Sequence, residues 1–285
     1  MMVEIVAGPF LEFAFMRRAL VAVLALSLGA APLGVLLTLR RLSLVGDALS
    51  HAVLPGVALG FMFFGLSLTA LSIGGVLAGM LVVAVAALVS RHTRIAEDAS
   101  LAALYLVALA LGVMLISLQG SQIDLLHILF GNVLGVDHDG LLLVAGVASA
   151  TLLLLALTYR GLLLESFDPA FLAAGQGSRA WFQQLFLMLV VVNLVAAFQT
   201  LGTLMAVGLM MLPAIAARLW HHSLPAQLVH AACQAMLAGV GGLLLSYYAA
   251  LPSGPAIIVC AGLLYGGSLL LSPHGALAAL RRARN

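Results

Sequence analysis

Arg40–Gly60, RRLSLVGDALSHAVLPGVALG, is the stretch on which the fold turns. Two arginines give way to an apolar run that continues to Gly65, and residues 43–65 are enough to cross a hydrocarbon core of about 30 Å as one helix. Two ionisable residues interrupt that run. Asp47 and His51 stand four positions apart, so both side chains leave the same face of a helix about one turn apart. Counted as helix from Arg41, His51 lies about 15 Å along the axis, which predicts a position near the middle of the membrane. Ser50 adds a hydroxyl beside the pair. Pro55 has no N–H to offer the carbonyl of His51, so a kink and a free carbonyl are expected there.

Composition extends this reading to the whole chain. Hydrophobic residues make up 64% of the 285 residues and charged residues 8%; mean hydropathy is +1.21. A soluble domain carries roughly 25% charged residues, so there is too little polar side chain here to cover a water-facing surface. Apolar runs at 17–39, 43–65, 68–90, 98–118, 139–159, 182–199, 201–219, 227–250 and 254–272 predict about nine spanning helices. The expected architecture is all-α, a single polytopic transmembrane domain over residues 1–285. Residues 121–135 are too short to span and read as an interfacial or re-entrant helix. Arg17 and Arg18 mimic a signal peptide, but the apolar run behind them reaches Leu39 and reads as a first span.

Arginine sets the orientation, because the chain contains no lysine. Arg40, Arg41, Arg91, Arg94, Arg160, Arg179, Arg218, Arg281, Arg282 and Arg284 all fall on one side of a nine-span arrangement, predicted to be cytoplasmic together with the C-terminus. The other side carries Asp124, His127, Asp137, His138 and Asp139, either a cation-attracting mouth or ordinary loop residues. Arg17 and Arg18 break the pattern and are expected to reach for the interface.

An ionisable residue inside a span is a functional candidate by default. Carboxylate, imidazole and carbonyl suit Mn²⁺, Fe²⁺ or Zn²⁺ and match Cu(I) poorly, which makes Asp47 and His51 candidate metal ligands. The competing reading is that the two residues only set helix packing; a cost of several kcal/mol per polar group in lipid argues against it. Asn193, Gln199 and Gln234 are expected to hydrogen-bond between helices. Met205, Met210 and Met211 read as core, Cys233 and Cys260 as buried free thiols, and His221, His222 and His230 as a cluster at headgroup level or facing a partner. No phosphate-binding G-x-x-x-x-G-K-[ST] occurs, so ATP-driven transport needs a motor on another polypeptide; the chain is not expected to be an enzyme. Nothing suggests nucleic-acid binding.

Four stretches together resemble the ABC-3 family of bacterial zinc, manganese and iron importers. They are RRLSLVGDALSHAVLPGVALG (Arg40–Gly60), LFGNVLGV (Leu129–Val136), GTLMAVGLMMLPAIAAR (Gly202–Arg218) and LPSGPAIIV (Leu251–Val259). The resemblance implies a permease in the bacterial inner membrane that works as a homodimer, with a pair of cytosolic ABC ATPases and an extracytoplasmic metal-binding protein. It implies a fold similar to that of the vitamin B12 and siderophore importers, with Asp47 and His51 coordinating the transported ion; no permanently bound cofactor is expected. It also implies that the segment Arg218–Leu228 meets the ATPase, with Arg218, Leu219, Trp220 and Leu224 as coupling residues. Residues 165–179, with Asp168 as N-cap, Pro169 at the first turn and Gly175 as a stop, would support the same face. The alternatives are a same-fold importer of a metal chelate such as a siderophore or cobalamin, and an ion-driven carrier using Asp47 and His51 as a proton relay. Single cysteines at Ser121 and Ser223, in a background lacking Cys233 and Cys260, are expected to react with an impermeant thiol reagent from opposite sides of the membrane; labelling from one side breaks the topology.

Overall fold

A computed structural model describes residues 2–65, 67–118, 133–167 and 179–275. Asp124, His127, Ser121, the 168–178 segment and the tail arginines lie outside them. The order is α1 (Met2–Glu12), α2 (Ala14–Leu39), α3 (Val45–Ala52), α4 (Leu54–Phe64), α5 (Leu68–His92), α6 (Glu97–Leu118), α7 (His138–Phe167), α8 (Arg179–Leu201), α9 (Thr203–Trp220), α10 (Leu224–Ala249) and α11 (Ser253–Leu271), with a 3₁₀ turn at Val133–Gly135 before α7. Among the described residues nine segments are long and apolar enough to cross a membrane, α3 and α4 together forming the second. The predicted nine spans are therefore present, and the chain is a multi-pass membrane protein.

Hydrocarbon offers a backbone no hydrogen-bond partners, which is why the chain runs as helices joined by the tightest turns. Gly65 ends α4 at φ +66° and Gly202 separates α8 from α9 at φ +93°, left-handed angles that a side chain resists. Small residues then let the helices touch: a Cβ on Gly56 of α4 would run into the Gly74 backbone of α5, and one on Gly34 of α2 into the Met210 carbonyl of α9. In α2 and α8, 72% of the apolar stretch is buried, against 17% in α6, so these two helices form the centre and α6 lies on the outside. Met205, Met210 and Met211 are core residues as expected. Cys233 is exposed and Cys260 half-buried, so both free thiols sit on outward helix faces and not in the core where hydropathy alone had placed them.

The polar residues inside spans pair between helices. The Asn193 amide donates to Thr151 Oγ1 at 2.7 Å, joining α8 to α7. Ser72 of α5 donates to Gln199 Oε1 of α8 at 2.8 Å, and Gln234 of α10 donates to Ser268 of α11 at 3.2 Å. Arg17 and Arg18 follow a short helix, α1, that hydropathy does not reveal. Arg17 donates to the Leu11 carbonyl at its end, and Phe13 lies 5.8 Å from Tyr247 of α10 in an aromatic cluster typical of a membrane interface.

One ion pair escaped sequence reading. Arg40, just past α2, meets Glu165 of α7 at 2.7 Å, with side chains 7% and 6% exposed. Its guanidinium also sits 4.1 Å from the Phe186 ring of α8. Three helices converge on this charge at the end of the bundle where Arg218 reaches the Thr38 carbonyl of α2. Removing one partner of such a pair leaves a buried charge uncompensated, so Arg40→Met is expected to destabilise the permease by about 3–5 kcal/mol. Arg40→Met with Glu165→Leu should recover most of it, measured as the temperature at which the detergent-purified protein loses monodispersity. Equal losses in both variants would show that the orphaned Glu165 charge is not what destabilises Arg40→Met.

Candidate metal-binding site

The second span is broken. α3 ends at Ala52 and α4 begins at Leu54, with Val53 at φ −79° and ψ −18° between them. The break lies two residues before Pro55, where the proline ring and its missing N–H disfavour a continuous helix. The His51 carbonyl is met by the N–H of Val53 only two residues on, so it is less free than expected, though still without its helical donor. Close crossing at Gly56 and Gly74 seats α4 against α5 and fixes the wall behind the break.

Asp47 and His51 share the outward face of α3. His51 Nε2 stands 3.9 Å from Asp47 Oδ1, and the side chains are 27% and 62% exposed, respectively. This is too long for a hydrogen bond, so the two groups are neighbours on an open face and not a closed pair. The His51 ring stacks on Tyr105 of α6 at 6.4 Å between centroids, and Ser50 is turned back onto the Asp47 carbonyl at 2.7 Å. Ser50 is thereby spent on the backbone. Asp47 occupies the first turn of α3, where the partial positive charge of the helix end favours a carboxylate.

Depth along the span differs from the sequence count. Residues 41–44 form a turn and the helix starts at Val45, so His51 lies about 9 Å from the helix start, roughly a third of the way through the span. Gly46, beside Asp47, faces Leu37 of α2 and the Met210 and Met211 thioethers of α9, which seats α3 against those helices. Within a single chain the donors stop at two: among the described residues no three His, Cys, Asp or Glu side chains converge.

The expected coupling segment looks different from the reading made of it. α9 continues through Trp220 and α10 starts at Leu224, leaving only 221–223 as turn. Leu224 is 9% exposed and packs in the core of this chain. Arg218 is exposed; Leu219 and Trp220 are half-buried at the same end. On the opposite end Asp137 Oδ1 accepts from the Gly140 N–H at 2.8 Å, a helix-capping role, while His138 and Asp139 are exposed.

Comparison with known proteins bears on all of this. A sequence profile described as the ABC 3 transport family matches residues 12–272. The manganese transport system membrane protein MntC of Halalkalibacterium halodurans is 34% identical over 264 residues, 92% of this chain and 89% of the relative. The manganese import system permease protein ScaB of Streptococcus parasanguinis is 34% identical, with 92% of each chain covered. Among solved structures, PsaBC from Streptococcus pneumoniae in complex with Fab aligns at TM-score 0.85 and 31% identity, covering 99% of this chain and 100% of that one. A transporter assigned to the metal-chelate ABC type, in an inward-facing conformation, aligns at TM-score 0.67 and 22% identity over 92% of this chain and 87% of that one, a likeness of fold.

Proposed function

The chain belongs to the ABC 3 transport family, and from that premise we propose that it is the membrane permease of an ATP-driven importer, carrying manganese into the cytoplasm as free ion. It is a multi-pass protein of the bacterial plasma membrane. The observation that carries the reading is a carboxylate and an imidazole presented together, unbonded to each other, on the open face of a broken spanning helix. The names of the relatives favour manganese, and a mixed oxygen and nitrogen donor set accommodates it.

Two donors are too few for a dehydrated divalent ion. A second copy of the chain related by a two-fold axis would bring a second Asp47 and His51 to the same ion, if α3 faces that axis. Asp47 being 62% exposed in one chain agrees with this: a carboxylate left facing lipid is costly, and one facing a partner and an ion is not. Metal would also neutralise the repulsion between two facing carboxylates, so binding favours the assembled, charged site. A bulky chelate would need no such donor pair, which sets the same-fold alternative second.

ATP hydrolysis belongs to a separate pair of ATPase subunits, and an extracytoplasmic protein delivers the ion. Arg218, Leu219 and Trp220 are the residues of this chain proposed to meet the motor.

Asp47→Asn and His51→Ala are each expected to lower manganese uptake by reconstituted transporter at least tenfold while leaving assembly with the ATPase intact. Near-normal uptake by either variant removes that residue from the ion path. Leu219→Ala with Trp220→Ala should reduce uptake and transport-stimulated ATP hydrolysis in parallel, and full retention of both would move the coupling surface elsewhere.

A further inference from the structure

The arginine-bearing end of the bundle carries an imidazole cluster that ion passage through α3 does not use. His221 and His222 form the turn between α9 and α10, and His230 lies one and a half turns into α10. His221 Nε2 and His230 Nδ1 are 3.2 Å apart. Their rings meet nearly edge to face, with centroids at 5.1 Å and an interplanar angle of 66°. On the far side His230 stacks on Trp220 at 6.0 Å and 24°. A second imidazole pair, His222 and His274, packs beside the same turn at 4.3 Å between centroids.

The placement of the first pair is held from several directions. The His221 N–H donates to the Ala217 carbonyl at 3.1 Å, continuing the last turn of α9. Gln227 reaches back from α10 to the His221 carbonyl at 2.8 Å, which pins the turn to the helix that carries His230. Both rings are half-buried, open on one side. Two nitrogens bound to one cation at about 2.0–2.1 Å, at angles near 90–109°, stand about 2.9–3.4 Å apart. The observed 3.2 Å lies in that interval. In the metal-free pair one nitrogen donates to the other; a cation takes the place of the shared hydrogen once that proton shifts to the outer nitrogen of its own ring.

We infer that His221 and His230 form a chelating site for a divalent transition cation at the arginine-bearing end of the bundle, separate from Asp47 and His51. No third His, Cys, Asp or Glu joins them among the described residues, so water fills the remaining positions and the ion stays exchangeable. An all-imidazole donor set ranks cations differently from one containing a carboxylate: it favours Zn²⁺, Co²⁺ or Ni²⁺ over Mn²⁺. Trp220, in contact with His230 and proposed above to meet the motor, would register whether the site is filled.

The chain has two tryptophans, Trp181 and Trp220, so Trp181→Phe leaves Trp220 as sole reporter. In that full-length protein, purified in detergent, Co²⁺ is expected to quench Trp220 fluorescence to saturation. Zn²⁺ should restore it at a concentration at least tenfold below that needed with Mn²⁺. Adding His221→Gln and His230→Gln should shift the Co²⁺ midpoint upward at least tenfold, whereas adding Asp47→Asn and His51→Ala should leave it in place. Should the double histidine variant not purify as a monodisperse species, His221→Asn alone, altering only a turn residue, is expected to produce the same direction of shift. Absence of saturable quenching, an unchanged midpoint without the two histidines, or loss of quenching with Asp47→Asn and His51→Ala would each overturn the site.

Discussion

A peptide carbonyl inside hydrocarbon has no water to fall back on, and the rest of this structure follows from that constraint. It forces the chain into helices and keeps the junctions between them short, with Gly65 ending α4 and Gly202 alone separating α8 from α9. It rewards the close backbone crossings at Gly34 and Gly56, because packing and not solvent exclusion holds helices together in lipid. The same constraint makes a broken helix informative. Irregular backbone at membrane depth persists where it borders protein or a polar path, and the break at Val53 occurs two residues beyond His51.

Much of this was legible in the sequence, because hydropathy measures the very property lipid selects. The nine spans, the shared face of Asp47 and His51, and the interhelical roles of Asn193, Gln199 and Gln234 all follow from local pattern. What escaped depended on tertiary contact. Arg40 counted only as a topology marker, since nothing near it in sequence announces Glu165, which is far away on α7. His51 stands nearer its helix start than a count from Arg41 gives, because a hydropathy window cannot tell a turn at 41–44 from a first helical turn. The burial of Leu224 was likewise not legible, because it depends on α10 beginning there and on the helices packed around that end.

Charge is distributed unevenly between the two ends of the bundle. One end gathers Arg40, Glu165, Arg218 and the imidazoles. The other has Arg17 donating to the Leu11 carbonyl, four residues from the Phe13 ring that packs near Tyr247, an interfacial setting suited to an arginine that breaks the charge pattern. The arginine end is therefore chemically suited to meeting charged or polar partners, while the middle stretches of α5, α6 and α7 expose large apolar side chains such as Leu77, Leu81, Leu106, Val107, Leu153 and Leu157.

The central position of α2 has a consequence for biogenesis. It is synthesised well before α7, α9 and α10, yet these helices from the later part of the chain enclose it. At elongation rates of about 5–20 residues per second, it waits roughly 10–40 s before α10 is made. During that interval its small residues Gly29, Ala30, Ala31 and Gly34, all buried in the finished fold, must rest against lipid or an insertion factor. A chain truncated before α9 would therefore be left with an unpaired central helix, a natural signal for membrane quality control.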